Sequence, residues 1–300
     1  PQIGQDAGLR TTFVTDDSRF SYMVPEMGFD SVVQPPVGVE NFAISVNEPR
    51  YRAFHGLLHN WIGFGLIPSA ANNQSFGKSY RPELFVDRAV DALADSSVSE
   101  GFVYAVHTCV LHVPGDRVHP WHRFYDQASY RGGNRFRYSR SGTDLIDEDE
   151  ITGNSIEEIA EQDVRIYDSG IDMADRLVGE IVEELQNSGL WDNTIVVLLS
   201  DHGEELWNEE LPYRYNGPNH GFHPYGDGQS RVLMAVRVPE SIRTDVWEPR
   251  RVGATVRLID LAPTLMGLLD LPWPDNTDGV DLWPLLAGRE TEERETNPNL

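Results

Sequence analysis

A chain of 300 residues, 40% hydrophobic and 24% charged, is long enough to bury a large core, as one α/β domain or a domain with an appendage. Its 48 acidic residues face 24 basic ones, of which Lys78 alone is lysine, and the formal charge of −24 disfavours general binding to nucleic acid or anionic membranes while suiting work in high salt. No window approaches the apolar length of a membrane span, and a single cysteine, Cys109, excludes an internal disulfide while leaving the compartment open.

The N-terminus, Pro1-Gln-Ile-Gly-Gln-Asp6, has no charged-then-apolar leader and no initiator methionine, so the chain reads as a processed or partial piece. Leu9-Arg-Thr-Thr-Phe-Val-Thr15 predicts a strand that runs out at Asp16-Asp17. A short helix is expected from Pro82 to about Leu93, with proline in the first turn, where its missing N–H has no partner to lose. Gly101-Phe-Val-Tyr-Ala-Val-His107 reads as a second, buried strand.

The strongest helix signal opens on the capping box Ser155-Ile-Glu-Glu158. Its apolar positions are Ile156, Ala160, Val164, Tyr167, Ile171, Ala174, Val178, Ile181 and Leu185, and Gly189 stops it. Thr194-Ile-Val-Val-Leu-Leu-Ser200 then predicts a strand buried on both faces, Arg231-Val-Leu-Met-Ala-Val-Arg237 another strand, and Leu258 to Leu269 a helix. Strand–helix–strand alternation at these lengths implies crossover connections and a mostly parallel sheet in an α/β fold. Residues 1–240 are read as the core and 241–300 as a C-terminal region of the same domain with a frayed tail; no internal repeat is present.

The chemistry concentrates where predicted strands end, the usual ligand side of an open α/β sheet. Asp201-His202-Gly203 follows the apolar run directly, and an acid and an imidazole emerging together from a strand look like metal ligands. The plainer alternative is a strand-to-loop turn, with an Asx turn at Asp201 and a positive φ at Gly203. His107 and His112 flank the end of the 101–107 strand, and His220-Gly-Phe-His223 lies in the loop after Asp201. If the strands are parallel, these segments meet on one sheet edge, where Asp201, His202, His112 and His220 can hold a divalent cation and neutralise a tetrahedral anion.

Residues 66–80 and 204–230 are rich in Gly, Asn and Pro, as active-site loops and plain surface loops both are. Residues 113–143 carry six arginines, Arg117, Arg123, Arg131, Arg135, Arg137 and Arg140, against two aspartates, with aromatics interleaved. In so acidic a chain this is either a local receptor for an anionic substrate or a solvated loop whose Arg stems pack on aromatics.

The order of these segments resembles the sulfatase family of the alkaline-phosphatase-like superfamily. Phe102-Val-Tyr-Ala-Val-His-Thr-Cys-Val-Leu-His112-Val-Pro is similar to the family's strand followed by a substrate-facing His and Pro. Tyr167-Asp-Ser-Gly-Ile-Asp-Met-Ala-Asp-Arg-Leu-Val-Gly179 resembles its Tyr-Asp helix, and Leu190-Trp-Asp-Asn-Thr-Ile-Val-Val-Leu-Leu-Ser-Asp-His-Gly-Glu204 its metal-binding signature. His220-Gly, Arg231 to Pro239, the segment from Leu258 and Asp278-Gly-Val-Asp-Leu-Trp-Pro-Leu-Leu286 match its later parts.

The resemblance implies an α/β/α sandwich around a mostly parallel mixed sheet and a metal-dependent hydrolase of sulfate esters, or a phosphoesterase or phosphonate hydrolase of the same superfamily. It implies that Asp201 and His202 bind a divalent cation, calcium foremost with Mn, Mg or Zn as alternatives, and that His112 and His220 contact the sulfate or protonate the leaving oxygen. Arg131, Arg135 and Arg137 are the candidate contacts to an anionic sulfate- or phosphate-ester substrate. The family's Cys/Ser-x-Pro-x-Arg element, whose Cys or Ser becomes formylglycine, has no match: Ser45-Val-Asn-Glu-Pro-Arg50 has the wrong spacing. Asp16-Asp17 imitates the family's acidic pair, but Asp6-Ala-Gly-Leu-Arg-Thr-Thr-Phe-Val-Thr-Asp-Asp-Ser18 aligns better with its later Ala-Gly-Tyr-x-Thr strand. The chain is therefore expected to begin downstream of the nucleophile, to supply part of a metal site and to be inactive alone. A non-catalytic sulfatase-like binding protein is the other reading.

Overall fold

The computed structural model describes residues 1–35, 61–67, 82–98, 101–112, 154–206, 220–221, 227–243, 248–274 and 277–289. In chain order these form α1 (Gln2–Asp6), β1 (Arg10–Thr15), β2 (Ser31–Val33), α2 (Trp61–Leu66), α3 (Pro82–Ser97), β3 (Phe102–His107) and α4 (Ile156–Asn187). β4 (Val196–Leu199), β5 (Met234–Arg237), α5 (Leu261–Leu268) and α6 (Trp283–Leu286) follow.

β1 lies between β2 and β3, parallel to both, and the register sets Thr15 beside His107. Alternation along β1 sends Val14 to one face, where it packs with Phe85, Val86, Ala89 and Ala92 of α3 and with Leu177 of α4. Thr12 shares that face and meets Ser96 of α3 through a buried 2.7 Å hydroxyl–hydroxyl hydrogen bond, so even the polar position of the strand is spent on packing. Phe13 points the other way, against Phe29 and Phe20 at ring separations of 5.6 and 6.2 Å. α1 covers the same side: Gly4 is buried, and a Cβ there would lie 3.3 Å from a methyl of Val103.

α4 begins as its sequence predicts. Ser155 Oγ accepts from the Glu158 amide while Glu158 Oε2 accepts from the Ser155 amide, closing the capping box. At its far end Gly189 takes φ 72°, and the Leu190 amide donates to the Leu185 carbonyl at 2.9 Å, the wrap-around cap that a residue without Cβ allows. The buried stripe runs through Ile159, Ile166, Met173, Leu177 and Leu185, which turns Ile171, expected inside, out to solvent. Packing on α3 helps select the stripe, which the apolar spacing alone placed differently at Ile171.

Two expectations are corrected at β4. It pairs antiparallel with β5, Val196 opposite Arg237, in a ribbon separate from the parallel sheet among the described residues. It is also not buried on both faces, since Leu198 and Leu199 are 39% and 41% exposed. An apolar run reports β-propensity whether or not a second layer covers it. The predicted 231–237 strand starts at Met234, and the 258–269 helix is a 3-10 turn, Leu258–Asp260, leading into α5. Sequence reading did not identify α1, α2, β2 or α6, all six residues or shorter. No helix among the described residues is long and apolar enough to cross a membrane.

Asp260 organises the C-terminal region from the inside. Its carboxylate accepts from the amides of Arg257 at 2.9 Å and Val280 at 3.0 Å and from the Arg257 guanidinium at 3.1 Å. Burial opposes ionisation, yet these hydrogen bonds and the adjacent guanidinium outweigh it and hold the Asp260 pKa below its ordinary value.

Candidate active site

β1 and β3 are parallel neighbours, so their carboxyl ends deliver Asp16-Asp17 and the 107–112 segment to one edge of the sheet. The segments after β4 and before β5 bring Asp201 to Glu204 and His220 against that edge. His112, His202 and His220 converge there, each offering a ring nitrogen within 4.8 Å of the others. Ring centroids stand 4.2 Å apart for His202 and His220, 4.6 Å for His112 and His220, and 6.2 Å for His112 and His202.

Two of these rings are oriented from behind. His202 Nδ1 lies 2.8 Å from the Gly203 carbonyl, which can only accept, so Nδ1 carries a proton and Nε2 is the nitrogen left to meet a ligand. His220 Nδ1 donates to Glu204 Oε2 at 2.9 Å. That bond lifts the His220 pKa against the opposing effect of burial, and the charges of Glu204 and Asp201 raise it further. Glu204 is itself 4% exposed, and its Oε1 is buried without a hydrogen-bond partner among the described residues.

Asp201 stands at the rim. Its side chain is 71% exposed, and Oδ1 accepts from the His202 amide at 3.0 Å while lying 3.8 Å from His202 Nε2. Gly203 does not take the positive φ of a simple turn; a Cβ there would come within 2.0 Å of the Gly228 carbonyl oxygen, so the glycine serves close passage of two backbones. Of the residues singled out in the sequence, the structure thus gathers His112, His202 and His220, with Asp201 beside them. His107 faces elsewhere, with Nδ1 2.9 Å from Thr15 Oγ1. Arg131, Arg135 and Arg137, with the rest of 113–143, lie outside the described residues, as does His223.

Sequence reasoning missed Glu204, although it directly follows the Asp-His-Gly triplet, because a carboxylate on a Gly-rich loop carries no sign of burial. It also set aside Asp16 and Asp17, both fully buried. Asp17 binds Arg19 through Nε at 2.9 Å and the backbone amide at 2.8 Å. Cys109 is no candidate nucleophile: burial first, then the charges of Asp16 and Asp17, push its thiol far above the ordinary range.

A parallel strand pair that carries acids and His112 to the edge where His202 and His220 meet it, beside a helix-covered core, fits the α/β architecture of the alkaline-phosphatase-like superfamily. A phosphonate monoester hydrolase of Agrobacterium radiobacter superimposes with a TM-score of 0.60 over 97% of this chain and 62% of its own, at 18% identity. A structure bound to D-glucosamine-2-N,6-O-disulfate does so with a TM-score of 0.57, over 96% of this chain and 64% of its own, at 16% identity. In sequence, arylsulfatase K of Gallus gallus is 30% identical over 146 residues, 47% of this chain and 25% of that enzyme. The family model described as Sulfatase matches residues 1–271, and the chain belongs to the sulfatase family.

Proposed function

We propose that this chain forms part of a metal-dependent hydrolase of sulfate esters, with the ester bound between the three converging histidines. The observation that carries the reading is the arrangement of His112, His202 and His220 within 4.8 Å of one another, with two rings fixed through Nδ1. Asp201 and His202 are the metal ligands in this reading. The fit rests on His202 Nε2, 3.8 Å from Asp201 Oδ1, and on the buried Oε1 of Glu204, a carboxylate oxygen suited to a cation or its water. When bound, the cation supplies fixed positive charge for the ester oxygens. The family resemblance favours calcium; an imidazole ligand suits zinc or manganese better than a cation that prefers an all-oxygen shell.

His220 is the proton donor to the leaving oxygen. Glu204 and Asp201 favour its imidazolium form, which cannot bind a metal and has an N–H to give. His112 sits 4.6 Å from it, centroid to centroid, and donates to a sulfate oxygen. By the family resemblance the attacking group is a formylglycine hydrate, and no residue of this chain is assigned that role. Arg131, Arg135 and Arg137 are the proposed contacts to the anionic substrate.

The test is made in the parent protein with two aryl sulfates, one with a good and one with a poor leaving group. His220→Gln is expected to lower kcat by roughly 100-fold or more for the poor leaving group and far less for the good one. Asp201→Ala is expected to remove metal dependence for both. An equal loss on both substrates in His220→Gln would overturn the acid role, and faster turnover of an aryl phosphonate than of either sulfate would move the assignment to phosphonate hydrolysis.

A further inference from the structure

The ends of β1 and β3 hold a second set of convergent donors that the proposed ester chemistry does not use. Asp16, His107 and Cys109 each offer one ligand atom, all within 4.8 Å of one another. Asp16 and Cys109 are buried, and His107 is partly buried. The set is not an acidic cluster: it combines one carboxylate, one imidazole and one thiol, delivered by adjacent parallel strands whose register places Thr15 beside His107.

Each donor is held in place by a neighbour. Asp16 Oδ1 accepts from the Cys109 amide at 2.9 Å and Oδ2 from Thr108 Oγ1 at 2.7 Å, which anchors the carboxylate across the strand ends. His107 Nδ1 is engaged by Thr15 Oγ1 at 2.9 Å, leaving Nε2 as the nitrogen that faces Cys109 Sγ, 3.8 Å away. The thiol donates to Asp17 Oδ2 at 3.2 Å, so its proton already lies on a path to a carboxylate. Asp17 in turn is neutralised by Arg19, whose guanidinium is 3.6 Å from the sulfur. A hydroxyl behind the imidazole, donors behind the carboxylate and a charged pair beside the sulfur are the outer contacts that orient ligands around a metal.

The geometry points to a buried transition-metal site formed by Asp16 Oδ, His107 Nε2 and Cys109 Sγ, taking a borderline divalent cation such as zinc or cobalt. Mixed O, N and S donation suits that class and disfavours calcium and magnesium, which take oxygen shells. On binding, the Cys109 S–H passes its proton by way of Asp17 Oδ2 to solvent, the sulfur donates its electron pair to the cation, and no redox change occurs; the three side chains leave a fourth position for water.

The chain's single cysteine makes the test unambiguous, because any thiolate-to-metal charge-transfer absorption must come from Cys109. Co(II) is titrated into the metal-free 300-residue chain while near-ultraviolet and visible absorption are followed, with circular dichroism to verify folding. The expected result is a saturable thiolate-to-cobalt band with tetrahedral visible bands at one equivalent, displaced by zinc. The charge-transfer band is lost in Cys109→Ser and weakened at least 10-fold in affinity in Asp16→Asn, but kept in His112→Ala and His202→Ala. Cobalt binding by the unaltered chain without a thiolate band, or no binding at all, overturns the site regardless of how any variant folds. Loss of the thiolate band in His112→Ala, folding intact, would also overturn it, by making the sulfur part of the histidine cluster.

Discussion

The strand ends of the parallel sheet and the loops after β4 carry similar side chains in opposite surroundings. Asp16, Asp17 and Cys109 are buried at the ends of β1 and β3, Asp16 bonded across to Thr108 and Cys109, and Asp17 to Cys109 and to the nearby Arg19. Asp201 and His202 extend from a two-stranded ribbon whose Leu198 and Leu199 face solvent. Burial turns the first set into an internally bonded cluster, whereas the second keeps one nitrogen of each oriented ring available to a ligand. The same acid-plus-imidazole vocabulary therefore supports a closed site in one region and an open one in the other, and packing around the strand decides which.

The widest gap between the two regions is expected in stability. Phe85→Ala, in the layer between the parallel sheet and α4, should cost about 3–5 kcal/mol, while Leu199→Ala in β4 should cost under about 1 kcal/mol. Urea unfolding of both variants checks this, and equal losses would mean that the ribbon is covered as thoroughly as the sheet. Thr12→Val should cost about 1–2 kcal/mol, because Ser96 loses its partner across the sheet–helix interface. Its unfolding midpoint should fall with little change in metal affinity at the histidine cluster, keeping core and open site separable.

Ser155→Ala removes one half of the capping box of α4 and should cost about 1 kcal/mol, readable as a lowered thermal midpoint. The smallest effect depends on pH. Asp260 has a folded pKa below its ordinary 3.8, so its contribution is fully present above about pH 3.8 and is lost as pH falls through the lower folded value. The stability difference between the unaltered chain and Asp260→Asn should be constant above that range and shrink below it, as followed by urea midpoints. A difference that grew on acidification would reverse the sign of the linkage.

Local signals in the sequence determined most elements of length. The Ser155–Glu158 box and Gly189 bounded α4, Pro82 opened α3, and the apolar runs located β1, β3 and β4, because capping and propensity act over a few residues. β2 and α6, of three and four residues, are not part of a long apolar run and were not read. The histidines of the open site were legible as residues near predicted strand ends, but the parallel arrangement expected to gather them holds for β3 and fails for β4, so their convergence is a property of the packed chain.

What the tertiary structure alone decided was surroundings and partners. The rotation of α4 that exposes Ile171, the antiparallel pairing of β4 with β5, the burial of Glu204 behind His220 and the meeting of Asp16 with Cys109 all join residues distant in sequence or set by neighbouring layers. A carboxylate's letter is the same on a solvated loop and under a sheet. Only the packed chain supplies the hydrogen bonds and desolvation that turn Glu204 into a partner for imidazole and Asp16 into a fixed donor.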